Sequence, residues 1–88
     1  MGAVLISRND LSASRPETGA RIEEALMRAA SASRSTFRAE VIVLPGEGDV
    51  VVRIEEHVPG EIRRAREVRL HASQDSVQMQ RRIEVAMR

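Results

Sequence analysis

Phe37-Arg38-Ala39-Glu40-Val41-Ile42-Val43-Leu44 and Val50-Val51-Val52-Arg53-Ile54-Glu55-Glu56-His57, joined by Pro45-Gly46-Glu47-Gly48-Asp49, decide the fold of this chain. Both apolar stretches have period two, the spacing at which side chains alternate across a strand. Phe37, Ala39, Val41 and Val43 share one face of the first, and Val50, Val52 and Ile54 share one face of the second. The Pro/Gly-rich joint is turn chemistry. Pairing residues whose numbers sum to 93 keeps the two apolar faces together. It also sets Glu40 opposite Arg53 and Arg38 opposite Glu55, and opposite charges across a ladder stabilise it. A second turn, Val58-Pro59-Gly60-Glu61, leads into a third alternating stretch ending at Val68-Arg69-Leu70-His71-Ala72. A three-residue loop there pairs Val58 with Ile62 and Val52 with Val68, and opposes Arg53 with Glu67 and Glu56 with Arg64. The stretch reads as an antiparallel meander.

Outward from the meander, Val4-Leu5-Ile6 is apolar without alternation, which predicts a strand buried on both faces or central in the sheet. Ser7 to Ala13 reads as a loop. Ser14-x-x-Glu17 has capping-box spacing, with Pro16 in the first turn, and predicts a helix from Ser14 to Ser33. Ile22, Leu26, Ala29 and Ala30 form its buried stripe, with Glu17–Arg21 and Glu24–Arg28 as i, i+4 pairs on the wet side. The Ser-rich stretch Ser31 to Ser35 ends it. Past the meander, Asp75 or Ser73 caps a last helix whose stripe is Met79, Ile83, Ala86 and Met87. The order is β-α-β-β-β-α. The expected fold is α+β, with one mostly antiparallel four-stranded sheet and two helices on one face, all within a single domain of residues 1–88.

At 88 residues the core is thin. Phe37 is the single aromatic, so the interior is built from Val, Ile, Leu, Met and Ala. Without cysteine there is no disulfide or thiolate metal site. The apolar run Ala3 to Ile6 falls far short of the ~20 residues that cross a bilayer, and nothing resembles a signal peptide. A cytoplasmic location without membrane contact is the expectation.

Catalytic chemistry is poorly supplied. His57 and His71 fall at different places in the sheet, opposite Arg63 and Asp49 in this register, with no clustered ligands for a metal. Glu55 and Glu56 are strand neighbours and point to opposite faces. The turn Gly46-Glu47-Gly48 joins strands and carries acid, unlike a phosphate-binding loop. No catalytic residue, metal, cofactor or small-molecule substrate is expected, and the chain reads as a binding protein rather than an enzyme.

Every basic residue other than histidine is arginine: fourteen Arg and no Lys, for a net charge of +1. A GC-rich genome produces such usage, and so does phosphate recognition, for which the guanidinium fork is suited. Residues 60–88 hold seven Arg against four acids, while residues 1–59 hold seven against nine. Arg63, Arg64 and Arg66 on the third meander strand, Arg81 and Arg82 in the last helix, and Arg21 and Arg28 in the first are the candidate RNA-contacting residues. A solvated charge ladder is the competing reading of the same side chains. Without exposed aromatics to stack bases, an RNA role would consist of reading the shape of a structured molecule. Ile42, Leu44 and Val51 form the other feature, aliphatic residues on the outward sheet face, which read either as a contact surface for a homodimer or another protein or as a stray exposed patch.

The strand order, the distance from Val4-Leu5-Ile6 to Val41-Ile42-Val43, and Leu70-His71-Ala72-Ser73 followed by Asp75 and an amphipathic helix together resemble the ribosome hibernation-promoting factor family, also called sigma-54 modulation proteins. The resemblance spans nearly the whole chain, and only Leu70 to Asp75 is motif-like. It implies a factor that docks in the messenger and transfer-RNA channel of the small ribosomal subunit and stops translation. The chain departs from that pattern in its charge-balanced first helix and in Val77, which stands near the place of an aromatic. The double-stranded-RNA-binding domain has a similar layout, but its basic loop before the last helix has no counterpart in Ala72 to Ser76.

Overall fold

The period-two stretch folds as a three-strand meander, and the two helical stripes close over one side of it. The computed structural model describes residues 2–46 and 48–88, Arg63 by its backbone alone. Its elements are β1 (Ala3–Asn9), a one-turn helix α1 (Leu11–Ser14), α2 (Pro16–Ser31), β2 (Thr36–Val43), β3 (Asp49–Val58), β4 (Glu61–His71) and α3 (Ser76–Met87). The strands make one sheet in the order β1-β2-β3-β4. The α+β layout is as expected, with a mixed sheet: β1 runs parallel to β2, and the other two pairings are antiparallel. Parallel neighbours need a crossover of a dozen or more residues, which α2 supplies.

The β2–β3 register is the expected one along its whole length, with Arg38 opposite Glu55, Glu40 opposite Arg53 and Ile42 opposite Val51. The β3–β4 register also agrees from Asp49–His71 to Glu56–Arg64, and then shifts. His57 pairs with Ile62 and Val58 with Glu61, so the loop has two residues, Pro59-Gly60, and β4 carries a bulge at Arg63. The expected Val58–Ile62 and His57–Arg63 pairings are therefore corrected. Proline fixes φ near −65°, which excludes the primed turns that need positive φ at their first central position. Gly60, at φ 84°, supplies the left-handed second position of a type II turn instead. The adjacent bulge adds twist that such a turn lacks. Its cost is Ile62, which moves to the outer face beside His57 and stays 58% exposed. The joint before β3 closes through Leu44 N–H donating to the Asp49 carbonyl at 3.0 Å, with Gly46 and Gly48 at positive φ. Glu47 lies outside the described residues.

β1 is an edge strand, not a central one. The meander grows away from β2 on the other side, so β1 has a single neighbour. Val4 and Ile6 pack against the core while Leu5 is 64% exposed. The strand also runs past Ile6 to Asn9, through a register shift at Ser7. That shift turns Asn9 toward the helices, where its amide donates to Glu23 at 2.6 Å and to the Gly19 carbonyl, and its oxygen accepts from Leu11 N–H. The segment expected as loop thus contributes strand, the turn of α1 and a core residue, Leu11.

The predicted capping box at Ser14 and Glu17 does not form. α2 begins at Pro16, with Arg15 at the N-cap (φ −141°, ψ 70°) and no side-chain cap. A residue preceding proline is driven out of the helical region, so Arg15 could not serve as the first helical residue that a Ser14 cap requires. At α3 the capping box does form: Asp75 accepts from Gln78 N–H at 2.8 Å, and the Gln78 side chain accepts from Asp75 N–H at 3.1 Å. The core joins Ile22, Leu26, Ala29 and Ala30 of α2, Met79, Ile83 and Met87 of α3, and the sheet residues Phe37, Ala39, Val41, Val50, Val52, Ile54, Val68 and Leu70. Among the described residues no charged or polar side chain is fully buried, and no helix is long and apolar enough to cross a membrane.

Candidate nucleic-acid interface

A helix that buries one stripe presents the rest of its surface, and on α2 and α3 that surface carries arginine. Arg21 and Arg28, seven residues apart, lie on nearly the same line of α2, about 10 Å apart along the axis. Arg81 and Arg82 follow the buried Met79 on α3. Side by side, the helices leave a groove of about 280 Å³ whose walls include Arg21, Arg28 and Arg81, with Glu24, Gln80 and Glu84 between them. Arg28 is bound to Glu24 at 2.5 Å, a pair more than half exposed on both sides and therefore weak. Gln80 donates to Glu84 at 2.9 Å. Arg21 and Arg81 close no ion pair among the described residues.

Across α3 a second recess of about 460 Å³ separates the helix from β4, lined by Arg66, Arg81, Arg82 and Val85. Arg81 borders both recesses. Arg66 is opposite the core residue Ile54 and so lies on the helix side of the sheet. Arg82 donates through Nε to the Arg69 carbonyl at 3.1 Å, fastening α3 to the edge strand.

The sequence-selected arginines thus divide. Arg21, Arg28 and Arg81 converge on the groove, and Arg66 and Arg82 lie in the neighbouring recess. Arg64 has a different role: its guanidinium donates to the carbonyls of Ala86 and Arg88, satisfying the end of α3 as basic side chains at helix C-termini do. The side chain of Arg63 lies outside the described residues. Sequence reasoning missed Ser76 and Gln80, the polar groups of the groove. Ser76, Gln80 and Glu84 recur every four residues along a ridge of α3 beside the buried stripe, next to Arg81, a signal present in the sequence.

The Leu70-to-Asp75 stretch is a built corner. His71 N–H donates to the Gln74 side chain at 2.9 Å, and the His71 ring accepts from Ser73 N–H at 3.0 Å through Nδ1. It turns β4 into α3 and so sets where Arg81 sits. On the opposite sheet face Ile42 and Val51 are paired and half-buried, with the half-buried Leu44 just past the end of β2. His57 lies 3.3 Å from Glu55, and His71 is at the other end of the β3–β4 ladder. Phe37, the single aromatic, is buried. No protein-family model, curated protein or solved structure matches this chain.

Proposed function

We propose that this domain is a non-enzymatic binding protein that reads the phosphate backbone of structured RNA with its helix layer. The observation that carries this reading is the convergence of Arg21, Arg28 and Arg81 on one groove, continued across α3 by Arg66 and Arg82. Guanidinium forks bind phosphate oxygens bidentately, and each contact releases condensed counterions. With the single aromatic buried there is no surface on which to stack unpaired bases, so affinity comes from backbone and shape. The Leu70-to-Asp75 corner and the strand order give the reading its sharper form: a cytoplasmic, ribosome-associated factor that regulates translation from the small subunit, as the hibernation-factor resemblance implies.

Co-sedimentation with small ribosomal subunits and filter binding to a folded RNA, at two salt concentrations, test it. Five phosphate contacts predict an affinity loss of about 500-fold between 50 and 200 mM monovalent salt. Replacing Arg21 and Arg81 with Glu abolishes binding, while Arg21→Gln with Arg81→Gln weakens it and lowers the salt slope by about 2. Affinity unchanged in these variants, or insensitive to salt, refutes the reading. Binding to a generic RNA duplex that equals binding to the subunit keeps the RNA surface and removes the ribosomal assignment.

A further inference from the structure

The sheet face turned away from the helices carries its own order, independent of the arginines above. Partners across a ladder share a face, so the strand registers define rows running β1-β2-β3-β4. One row is Arg8–Glu40–Arg53–Glu67, alternating in sign across all four strands. The next is Leu5–Arg38–Glu55–Ala65, with its two charges at the centre, and on the other side Ile42–Val51 forms an apolar pair. A two-fold axis parallel to the strands, lying between β2 and β3, exchanges β1 with β4 and β2 with β3 of a facing copy. Under that operation Glu40 meets the second copy's Arg53, Arg38 meets its Glu55, Arg8 meets its Glu67, and Ile42 meets its Val51. Each charge in these two rows meets the opposite sign.

We infer that the open sheet face is an isologous dimer interface, and that its occupant is a second copy of this chain. Self-complementarity under one operator is what a two-fold contact demands, since each contact occurs twice. Sheets stack face to face with strands nearly aligned, about 10 Å apart, which is the geometry this axis produces. Two of the four central charges also lack an ion-pair partner among the described residues, while Glu55 lies 3.3 Å from His57. Among the described residues Arg38 and Glu40 close no ion pair, although each has an opposite charge on the neighbouring strand, and Arg53 reaches Glu67 only at 3.7 Å. Leu44 lies two residues after Ile42, just past the end of β2. The face is about 19 Å across at ordinary strand spacing, small for a permanent dimer, so association is concentration-dependent. Both helix layers, with their arginines, remain outside the contact.

Sedimentation equilibrium of the free protein from micromolar to millimolar concentration tests this without any RNA. Wild type is expected to show a monomer–dimer equilibrium. Glu40→Arg alone places Arg against the facing Arg53, and Arg53→Glu alone places Glu against the facing Glu40, so each single variant is expected to be monomeric. Mixed together they are expected to form a heterodimer, because every facing pair is then opposite in sign while the repulsion within each chain remains. Circular dichroism establishes that each variant folds. If either does not, Arg38→Glu and Glu55→Arg carry the same test one row away. Wild type monomeric at every concentration, single variants that dimerise like wild type, or a mixture that stays monomeric overturns the inference.

Discussion

Gly2 sits where the chain enters β1, and a Cβ there would lie 2.4 Å from the carbonyl oxygens of both Ala30 and Ser35. Both are backbone atoms and cannot swing aside, so Gly2→Ala is expected to destabilise the domain by about 2 kcal/mol, read from the urea midpoint. Gly19 differs. Its Cβ would meet Leu11 Cβ at 3.1 Å and the Asn9 amide at 3.2 Å, a tight fit, but alanine gains about 1 kcal/mol of helix propensity over glycine. Gly19→Ala is expected to be near neutral in the same measurement. Arg8 and Asp10 supply a pH-dependent term. The Arg8 hydrogen bond holds the Asp10 carboxyl below its usual range, helped by Val43 N–H, while partial desolvation opposes it. A depressed carboxyl contributes stability that is present above its unfolded pKa and lost as pH falls through the folded one. The thermal midpoint is therefore expected to drop on acidification below the ordinary carboxylate range, and Asp10→Asn to flatten that limb. An unaltered acid limb in the variant excludes the Arg8–Asp10 link as its source.

At the scale of elements, local chemistry decided what neighbouring residues alone could decide. Ile22, Leu26, Ala29 and Ala30, and Met79, Ile83 and Met87, are buried as their spacing indicates, because a helix stripe follows from a 3.6-residue period. The β2–β3 register was legible because hydrophobic alternation and two charge pairs agree on one alignment. Two N-terminal caps were legible, a box at Ser14 and a cap at Asp75 or Ser73, and only the one at Asp75 formed. Asp75→Ala is expected to cost about 1 kcal/mol, and Ser14→Ala only a few tenths, since Pro16 moves the start of α2 away from Ser14. Equal losses for the two would mean that Ser14 caps a helix after all. The bulges at Ser7 and Arg63 were not legible. A bulge changes which face every later residue takes, and the sequence around each alternates equally well without it.

For the whole molecule, the thin core sets the tolerance to change. Phe37 is its largest fully buried side chain, and Phe37→Ala is expected to cost about 3–5 kcal/mol, against a total of roughly 4–13 kcal/mol for a chain this long. Loss of a cooperative thermal transition is the expected readout, and a fully retained transition would show that the helix layer carries more of the stability than the Phe37 contact. The sequence by itself determined the α+β class, the meander and its first register, the two buried stripes and the arginine composition, because each of these rests on period, turn chemistry or near neighbours. Only the tertiary structure decided that β1 is an edge. It also decided that Arg64 closes the end of α3 and Arg82 ties α3 to β4, while Arg21, Arg28 and Arg81 share a groove. Those assignments join residues far apart in the chain, and the partner of a long, flexible guanidinium is fixed by how the layers pack, which no local pattern encodes.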